Sequence, residues 1–188
     1  VCYPFGFGLS YTKFEYSNIK VDEKGVTFKV KNVGNREGKE VSQLYIGLPS
    51  SGIVRPVREL KGFVKTNLLP GEEKEVFIPF DDKSFRYFNT KTNKWEVETG
   101  DYEISIGSSS VDMQLTTSFH VEGTNAPLPY TQEELPHYFT GDVTNVPDAE
   151  FEKLLGIPIP PHTFTWLNKK KTRIEITSNT TMSDLKYA

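Results

Sequence analysis

WEVETGDYEISIG, residues 95–107, is the stretch that decides the fold. Tyr102, Ile104 and Ile106 alternate with polar neighbours, which is the period of an antiparallel strand with one buried face. Gly100-Asp101 is a turn signal directly before that strand. A tyrosine at such a strand start often caps a neighbouring turn through its hydroxyl, so we predict a structural role for Tyr102.

The same alternation recurs before and after this stretch, with turn signals between the segments. Gly25, residues 34–38 and Pro70-Gly71 supply the backbone conformations that turns require. A last strand is predicted from about residue 112 to residue 121. Seven or more short strands at this spacing predict a β-sandwich. The alternating sets are Val26, Phe28 and Val30; Val41, Gln43 and Tyr45; and Val76, Ile78 and Phe80.

Composition limits the functions that are open to the chain. It has 188 residues, a net charge of −3 and a pI near 5.7, which argues against a nucleic-acid partner. Cys2 is the only cysteine, so neither an intrachain disulfide nor a thiolate metal cluster is possible. A reducing, cytoplasmic compartment is slightly favoured over secretion. No apolar run approaches the roughly 18 residues that span a membrane, so we expect no membrane partner.

Five motifs resemble, in their order and spacing, the fibronectin type III-like domain of bacterial family 3 glycoside hydrolases of the β-glucosidase type. In those enzymes the domain follows the catalytic domains. Residues 3–12 (YPFGFGLSYT) resemble the segment that leaves the second catalytic domain, and residues 151–160 (FEKLLGIPIP) resemble the C-terminal extension of certain members. The five motifs are residues 32–34 (NVG), 38–45 (GKEVSQLY), 55–63 (RPVRELKGF), 69–72 (LPGE) and 95–107.

The resemblance implies the fold class and the domain boundaries. We expect an all-β protein, a fibronectin type III or immunoglobulin-like antiparallel β-sandwich of about seven strands. A mostly irregular tail with one short helix should follow it. Residues 1–12 would be a linker from a catalytic domain that this chain lacks, residues 13–123 the sandwich, and residues 124–188 an extension that packs on the sandwich.

The tail carries signals of its own. Two prolines exclude a regular helix or a central strand from residues 124–130. A short helix is predicted over residues 148–155, because Pro147 suits a helix start, acidic residues suit its positive end and Gly156 suits its stop. The tail is too apolar for a disordered segment, so it should dock on the sandwich. Its apolar residues are Phe151, Leu154, Leu155, Ile157, Ile159, Phe164 and Trp166.

Nothing in the chain predicts catalysis. Glycoside hydrolysis needs two facing carboxyl groups, about 5–5.5 Å apart in retaining enzymes, whereas the densest acidic pair, Asp81-Asp82, has the context of a turn or cap. The resembling enzymes carry a nucleophilic aspartate in a Ser-Asp-Trp-like motif of a barrel domain and a glutamate acid/base in the next domain. Neither tryptophan here follows an aspartate, so the resemblance assigns both roles to domains outside this chain.

Metal and cofactor sites are not predicted either. His120, His137 and His162 are too far apart in sequence to form a spaced metal motif. We therefore expect no catalytic, cofactor-binding or metal-binding residue in this chain. The parent protein would be a retaining β-glucosidase-type hydrolase.

Our first hypothesis is a structural module of a multidomain β-glucosidase, whose partners are the catalytic domains of the same polypeptide. The resemblance implies that residues 3–11 and the loop 48–57 approach each other and face those domains. We expect exposed apolar surface and weak self-association there, with arginines that bridge across the interface. The alternative for Phe5 and Phe7 is a cap over the open end of the sandwich. The expected contacts are Phe5, Phe7, Leu9, Tyr11, Ile53, Val54, Arg55 and Arg58.

The second hypothesis is a stand-alone carbohydrate-binding module, and generic adhesion is a weaker third. Sugar binding needs two or three exposed rings along one face. Trp95 is expected to pack at the edge of the core, with a sugar platform as its alternative role. A coplanar exposed pair would favour sugar binding, and an apolar patch around residues 3–11 would favour docking. The candidate rings are Tyr45, Tyr87, Trp95 and Trp166.

Overall fold

The computed structural model describes residues 2–159, which form nine strands and two short helices. The first five strands are β1 (Phe14–Asp22), β2 (Gly25–Asn32), β3 (Gly38–Gly47), β4 (Glu59–Leu68) and β5 (Glu73–Pro79). The remaining strands are β6 (Arg86–Asn89), β7 (Lys94–Val97), β8 (Gly100–Gly107) and β9 (Met113–Val121). The helices are α1 (Pro136–Thr140) and α2 (Asp148–Leu155).

Seven of these strands make a sandwich of two antiparallel sheets. The first sheet has the order β1-β2-β5 and the second has the order β4-β3-β8-β9. The other two strands, β6 and β7, form a separate hairpin. The predicted all-β sandwich of about seven strands is therefore confirmed.

The core lies between the two sheets. Phe28 of the first sheet and Leu44, Ile46, Ile104 and Ile106 of the second are completely buried. Each such side chain stabilises the fold by roughly 1.5 to 3 kcal/mol relative to exposure. The alternation of the sequence therefore determines which face of each strand turns inward.

Tyr102 closes one end of this core. Its side chain is fully buried, and its hydroxyl donates a hydrogen bond of 3.0 Å to the carbonyl oxygen of Glu98. Burial raises the pKa of Tyr102, so the hydroxyl remains a donor across the physiological range. The predicted structural role of this tyrosine is confirmed.

Asn32 joins the two sheets to the N-terminal segment. Its side chain is fully buried at the end of β2, and its Nδ2 donates to the carbonyl oxygens of Arg36 (2.7 Å) and Leu68 (3.0 Å). Its Oδ1 accepts hydrogen bonds from Thr12 Oγ1 (2.6 Å) and the Gly34 amide (3.0 Å). All four hydrogen-bonding positions of the amide are thus filled, as burial of a polar side chain requires.

A second, smaller hydrophobic cluster lies outside the sandwich core. Tyr87 of the hairpin and Ile53 of the loop 48–57 pack there with Tyr130 and Leu135, which follow the last strand. The Tyr130 hydroxyl also accepts a hydrogen bond of 3.0 Å from the Val54 amide. Residues up to Ile157 form one compact unit. Tyr130 and Leu135 thus pack on the loop and the hairpin, whereas the boundary at residue 124 and the docking of the whole tail on the sandwich remain predictions.

The details of the tail differ from expectation. Helix α2 has the predicted bounds and ends at Gly156, whose φ of 78° is a left-handed C-cap. Helix α1 is an additional short helix. Phe151, Leu155 and Ile157 were expected to anchor the tail, yet all three are exposed. Leu154 of α2 is the residue that packs against the second cluster. His162, Phe164 and Trp166 lie outside the described residues.

Replacing Asn32 with alanine should destabilise the chain by several kcal/mol, because its buried hydrogen bonds to Thr12 and Leu68 are lost and each such loss costs roughly 1 to 3 kcal/mol. Chemical denaturation monitored by tryptophan fluorescence measures this. Asn35→Ala is the matched control, since Asn35 is an exposed asparagine three residues away. Equal stabilities of the two variants would contradict the assigned role.

Candidate interdomain docking face

The N-terminal segment exposes a series of large apolar side chains. Phe5 is 67% exposed and Phe7 is 55% exposed, and Leu9 and Tyr11 are almost fully exposed. The rings of Tyr3 and Phe7 contact each other with centroids 5.0 Å apart. These side chains do not cap the end of the sandwich core, because a cap would be buried. The exposure agrees with the docking hypothesis.

The segment is nevertheless held in a defined position on the second sheet. The carbonyl oxygen of Phe5 accepts a hydrogen bond of 2.9 Å from the Ser110 amide. Gly6 has a φ of +81°, and a Cβ there would lie 2.3 Å from Nε2 of Gln43. Gln43 is itself fixed, since it donates to the Ser108 carbonyl (2.9 Å) and accepts from the Tyr45 hydroxyl (2.7 Å). The exposed rings are therefore presented on an ordered backbone.

Beside this segment, the outer face of the second sheet continues the apolar surface. Leu60 and Phe63 of β4 are exposed, and Phe63 lies directly across from Gln43 of β3. They line a groove of about 750 Å³ together with Val41, Val111 and residues 5–10. We call this set of residues the docking face. Sequence reasoning did not single out these four residues as contacts: Val41 was named as a strand residue, Leu60 and Phe63 fell within the motif 55–63, and Val111 was not named.

The outer face of the first sheet has a different character. Lys29 and Glu73 form an ion pair of 2.8 Å across β2 and β5. Phe77 is exposed there, but the preceding residue on the same face of β5 is the charged Glu75. The outer face of the first sheet is therefore polar and suited to contact with water. The outer face of the second sheet has a large apolar patch of the kind that marks an interaction site.

The loop 48–57 contributes less than predicted. Ile53 was expected to be exposed but is buried, because it packs in the second cluster against Tyr130. Arg55 was expected to reach across an interface, but its side chain is buried and pairs with Glu59 at 3.0 Å and with Glu98 at 3.6 Å. Ile53 is covered by residues that follow the sandwich. Arg55 instead turns inward to carboxylates at the start of β4 and directly before β8.

The rest of the loop borders other cavities. Val54 is half-buried, and Val57 is the exposed apolar residue of the loop. Arg58 is half-buried in a cavity of about 500 Å³ beside Tyr138 of α1. No residue of the loop lines the groove beside residues 5–10 within the described chain. The expected approach of the two segments is therefore not observed, and the contact roles of Val54 and Arg58 remain predictions.

The rings proposed for sugar binding do not form a platform. Tyr45 and Tyr87 are buried, and Trp166 lies outside the described residues. Trp95 was expected at the edge of the core but is 57% exposed on the β6–β7 hairpin. Its exposed neighbour Phe88 is nearly perpendicular to it, at 76°, and the Arg86 guanidinium stacks over its ring. This arrangement lacks the coplanar pair that would favour sugar binding.

The acidic residues singled out by sequence have structural contacts. Asp81 caps a turn, as predicted, because it accepts hydrogen bonds from the Lys83 amide (2.9 Å) and the Ser84 hydroxyl (3.0 Å). Asp82 pairs with Arg86. Among residues 2–159, no group of three metal-ligating side chains is close enough to hold a metal ion, and no helix is long and apolar enough to cross a membrane.

Two histidines each pair with carboxylates. His120 is exposed beside Asp101 (2.7 Å) and Glu122 (3.3 Å), and the hydrogen bond to Asp101 does most to raise its pKa. His137 contacts the buried carboxylate of Glu150 at 2.7 Å. Burial alone would raise the pKa of Glu150, but its hydrogen bonds from His137 and Tyr138 outweigh that effect and lower it. Both pairs fasten local structure.

One carboxyl group at the docking face is unusual. Glu40 is half-buried in the groove lining, and its Oε1 accepts a hydrogen bond of 2.7 Å from the Tyr16 hydroxyl. Ser42 donates to the same hydroxyl at 3.2 Å. Burial raises the pKa of Glu40 in spite of the hydrogen bond from Tyr16, and the nearby charge of Asp112 adds to this shift.

Comparisons with known proteins agree with this architecture. Residues 40–110 match the family model described as the fibronectin type III-like domain. This chain therefore contains a fibronectin type III-like domain, which fits the sandwich of two antiparallel sheets.

The relatives place the domain in a family of enzymes. Thermostable β-glucosidase B of Acetivibrio thermocellus is 50% identical over 130 residues, which are 65% of this chain and 17% of that protein. An exo-α-(1→6)-L-arabinopyranosidase of Bifidobacterium longum is 39% identical over 137 residues, which are 70% of this chain and 18% of that protein. Fungal β-glucosidases are also among the relatives, so the resemblance is not confined to bacteria.

Solved structures agree with the sequence relatives. The family 3 β-glucosidase of Bifidobacterium adolescentis matches with a TM-score of 0.63 and 35% identity, over 70% of this chain and 20% of that chain. This chain corresponds to one module of family 3 glycoside hydrolases of the β-glucosidase type. It spans less than a fifth of the length of the curated relatives described above.

Gly6→Ala should release the N-terminal segment from the second sheet. A Cβ would collide with Gln43, and a positive φ is unfavourable for alanine by about 1 kcal/mol or more. We expect faster hydrogen exchange and faster proteolysis within residues 3–11, with little change in the melting temperature of the sandwich.

Gly8→Ala is the matched control for this variant. A Cβ at Gly8 would meet no atom within 4 Å, so its exchange rates should equal those of the unsubstituted chain. If both variants behave alike, the contact between Gly6 and Gln43 does not hold the segment.

Proposed function

We propose that this chain is a non-catalytic interdomain module of a multidomain β-glucosidase that hydrolyses O-glycosyl bonds of β-glucosides. The docking face packs against the catalytic domains of the same polypeptide and keeps them in register. The observation that supports this most is the ordered apolar surface formed by residues 5–10, Leu60 and Phe63. Soluble monomers rarely expose a contiguous apolar surface of this kind, and such surfaces mark sites where a partner binds.

The length of the relatives gives this partner a source. Each relative has more than four fifths of its chain outside the matched segment. A partner in the same polypeptide is present at high effective concentration, so a single apolar face is sufficient for stable docking. In this proposal the carboxyl groups that perform hydrolysis belong to the other domains.

The purified chain should not hydrolyse aryl β-glucosides at any pH. Retaining hydrolysis requires two carboxyl groups about 5–5.5 Å apart across the scissile bond, and the acidic residues Asp81, Asp82 and Glu150 already serve as turn caps or ion-pair partners. Release of the aryl alcohol measured by absorbance tests this. Turnover above a mock-purified control, lost on substitution of a residue in this chain, would overturn the non-catalytic assignment.

A graft tests the docking role directly. The segment of A. thermocellus β-glucosidase B that matches this chain is replaced by this chain, and the graft is compared with the enzyme from which the segment has been deleted. The graft should retain activity and lose it at a higher temperature than the deletion. A graft no more active or stable than the deletion would contradict the proposal.

The variant pair Phe63→Asp and Phe77→Asp identifies the face that docks. Both phenylalanines are exposed strand residues, one on the outer face of each sheet. In the graft, Phe63→Asp should weaken docking by about 1.5 to 3 kcal/mol, the value of one buried side chain, and lower the inactivation temperature. Phe77→Asp should leave it unchanged. The same effect from both variants would show that the second sheet is not the docking side.

A further inference from the structure

The rim of the docking face carries two carboxylates. Glu40, near the start of β3, and Asp112, before β9, both line the groove. Their hydrogen-bond donors are neutral side chains: Tyr16 for Glu40, and Ser108 and Gln114 for Asp112. Within residues 2–159, neither carboxylate has a lysine or arginine at ion-pair distance.

The position of Glu40 is fixed before any partner arrives. Ser42 donates to the Tyr16 hydroxyl, and that hydroxyl donates to Oε1 of Glu40. Tyr16 is in turn packed on Phe28 of the core, with ring centroids 6.0 Å apart. A carboxylate held by a chain of hydrogen bonds loses little entropy on binding, so it is a preorganised acceptor.

The other charged group of the groove does not neutralise this pair. Lys39 lines the groove as well, but it is exposed at the surface. Successive strand residues point to opposite faces, so Lys39 lies on the side of Gln43 and Phe63. Glu40 is directed to the other side of β3, so the strand separates the two charges. The groove therefore combines an apolar centre with a rim of net negative charge.

We propose that the partner seated in this groove is a segment of the catalytic domains that presents an arginine or lysine to Glu40 and Asp112 beside an apolar side chain on Phe63 and Leu60. This inference rests on the proposed function. A carboxylate that is partly removed from water is disfavoured unless a cation compensates it. Docking covers the rim, so the charge complement determines the orientation and the specificity of the partner.

Glu40→Gln provides a test because the thermal stability of the isolated chain and that of the graft should respond differently to it. The pKa of Glu40 is raised in the folded chain, so its charged form costs stability at neutral pH, and that cost disappears as the pH falls and the group protonates. In the isolated chain, Glu40→Gln should therefore leave the melting temperature unchanged or raise it at pH 7. In the A. thermocellus graft the same substitution should lower the inactivation temperature, because the cation of the partner is left unpaired.

Two controls accompany this measurement in the graft. Glu23→Gln changes an exposed carboxylate in the turn between β1 and β2 and should have no effect. Asp112→Asn should act in the same direction as Glu40→Gln. If the graft docks and is sensitive to Phe63→Asp but not to Glu40→Gln, the charge assignment fails while the interdomain function stands. If Phe63→Asp is also without effect, the interdomain function itself fails.

A small-molecule probe gives a readout that does not depend on the graft. The n-butylguanidinium ion carries the head group and the alkyl chain of the expected side chain. Titrated into the isolated chain, it should shift the amide resonances near Glu40, Asp112 and Phe63 saturably, and Glu40→Gln should weaken this binding at least fivefold. Equal shifts with n-butanol would show that the groove recognises only the alkyl chain and would overturn the proposal.

The basic run at residues 169–173 of this chain is a competing occupant. Replacing Lys169, Lys170 and Lys171 with serine shows whether the cation comes from this basic run or from the partner domain. If this triple variant and Glu40→Gln both lower the melting temperature of the isolated chain, the cation comes from the chain itself and the proposal is wrong. A change confined to the graft supports the partner domain.

Discussion

The buried side chain of Asn32 is the interaction on which the rest of the structure depends. It links the end of β2 to the end of β4 through the Leu68 carbonyl and to the N-terminal segment through Thr12. The two sheets have no hydrogen-bonded strand in common, so their relative position depends on packing and on a few polar contacts of this kind. A fully hydrogen-bonded buried amide permits one arrangement of its neighbours, which gives the sandwich a defined register with the segment that precedes it.

The fixed position of the N-terminal segment relative to the sandwich explains how a small domain can present a rigid surface. Thr12 holds the base of the N-terminal segment at Asn32, and the contact between Gly6 and Gln43 holds its middle on the second sheet. The rings between these two points then project outward at fixed positions. The second sheet therefore has the apolar outer face, and the first sheet, with its cross-strand ion pair, remains the face toward water.

The sequence predicted the parts of the fold that depend on local patterns. The strand that contains Tyr102 follows from the alternation of apolar and polar residues. The helix Asp148–Leu155 follows from acidic residues at its start and a glycine after its end. Each of these signals involves only residues that are close in sequence. Ile53 was misassigned because its burial depends on Tyr130, which lies 76 residues after Val54. Arg55 was misassigned because it pairs with Glu98, a residue far along the chain. No local pattern carries information about a contact of that separation.

The docking residues of β4 were hidden for another reason. A register irregularity opposite Leu44 and Tyr45 lets Leu60 and Phe63 share the outer face although three positions separate them. Strict alternation would place residues of that spacing on opposite faces. Trp95 was misjudged because β6 and β7 leave the sandwich as a separate hairpin, and the alternation of the strands gives no sign of that departure.

The second hydrophobic cluster has a consequence for the order of events during synthesis. All seven sandwich strands have been synthesised once Val121 has been added, yet the cluster that contains Ile53 and Tyr87 is completed only when Tyr130 and Leu135 follow. For that interval the nascent domain carries an uncovered apolar site on an otherwise complete core. Such a site invites association with other chains, so rapid delivery of residues 130–135 protects the newly made sandwich from its neighbours on the same polysome.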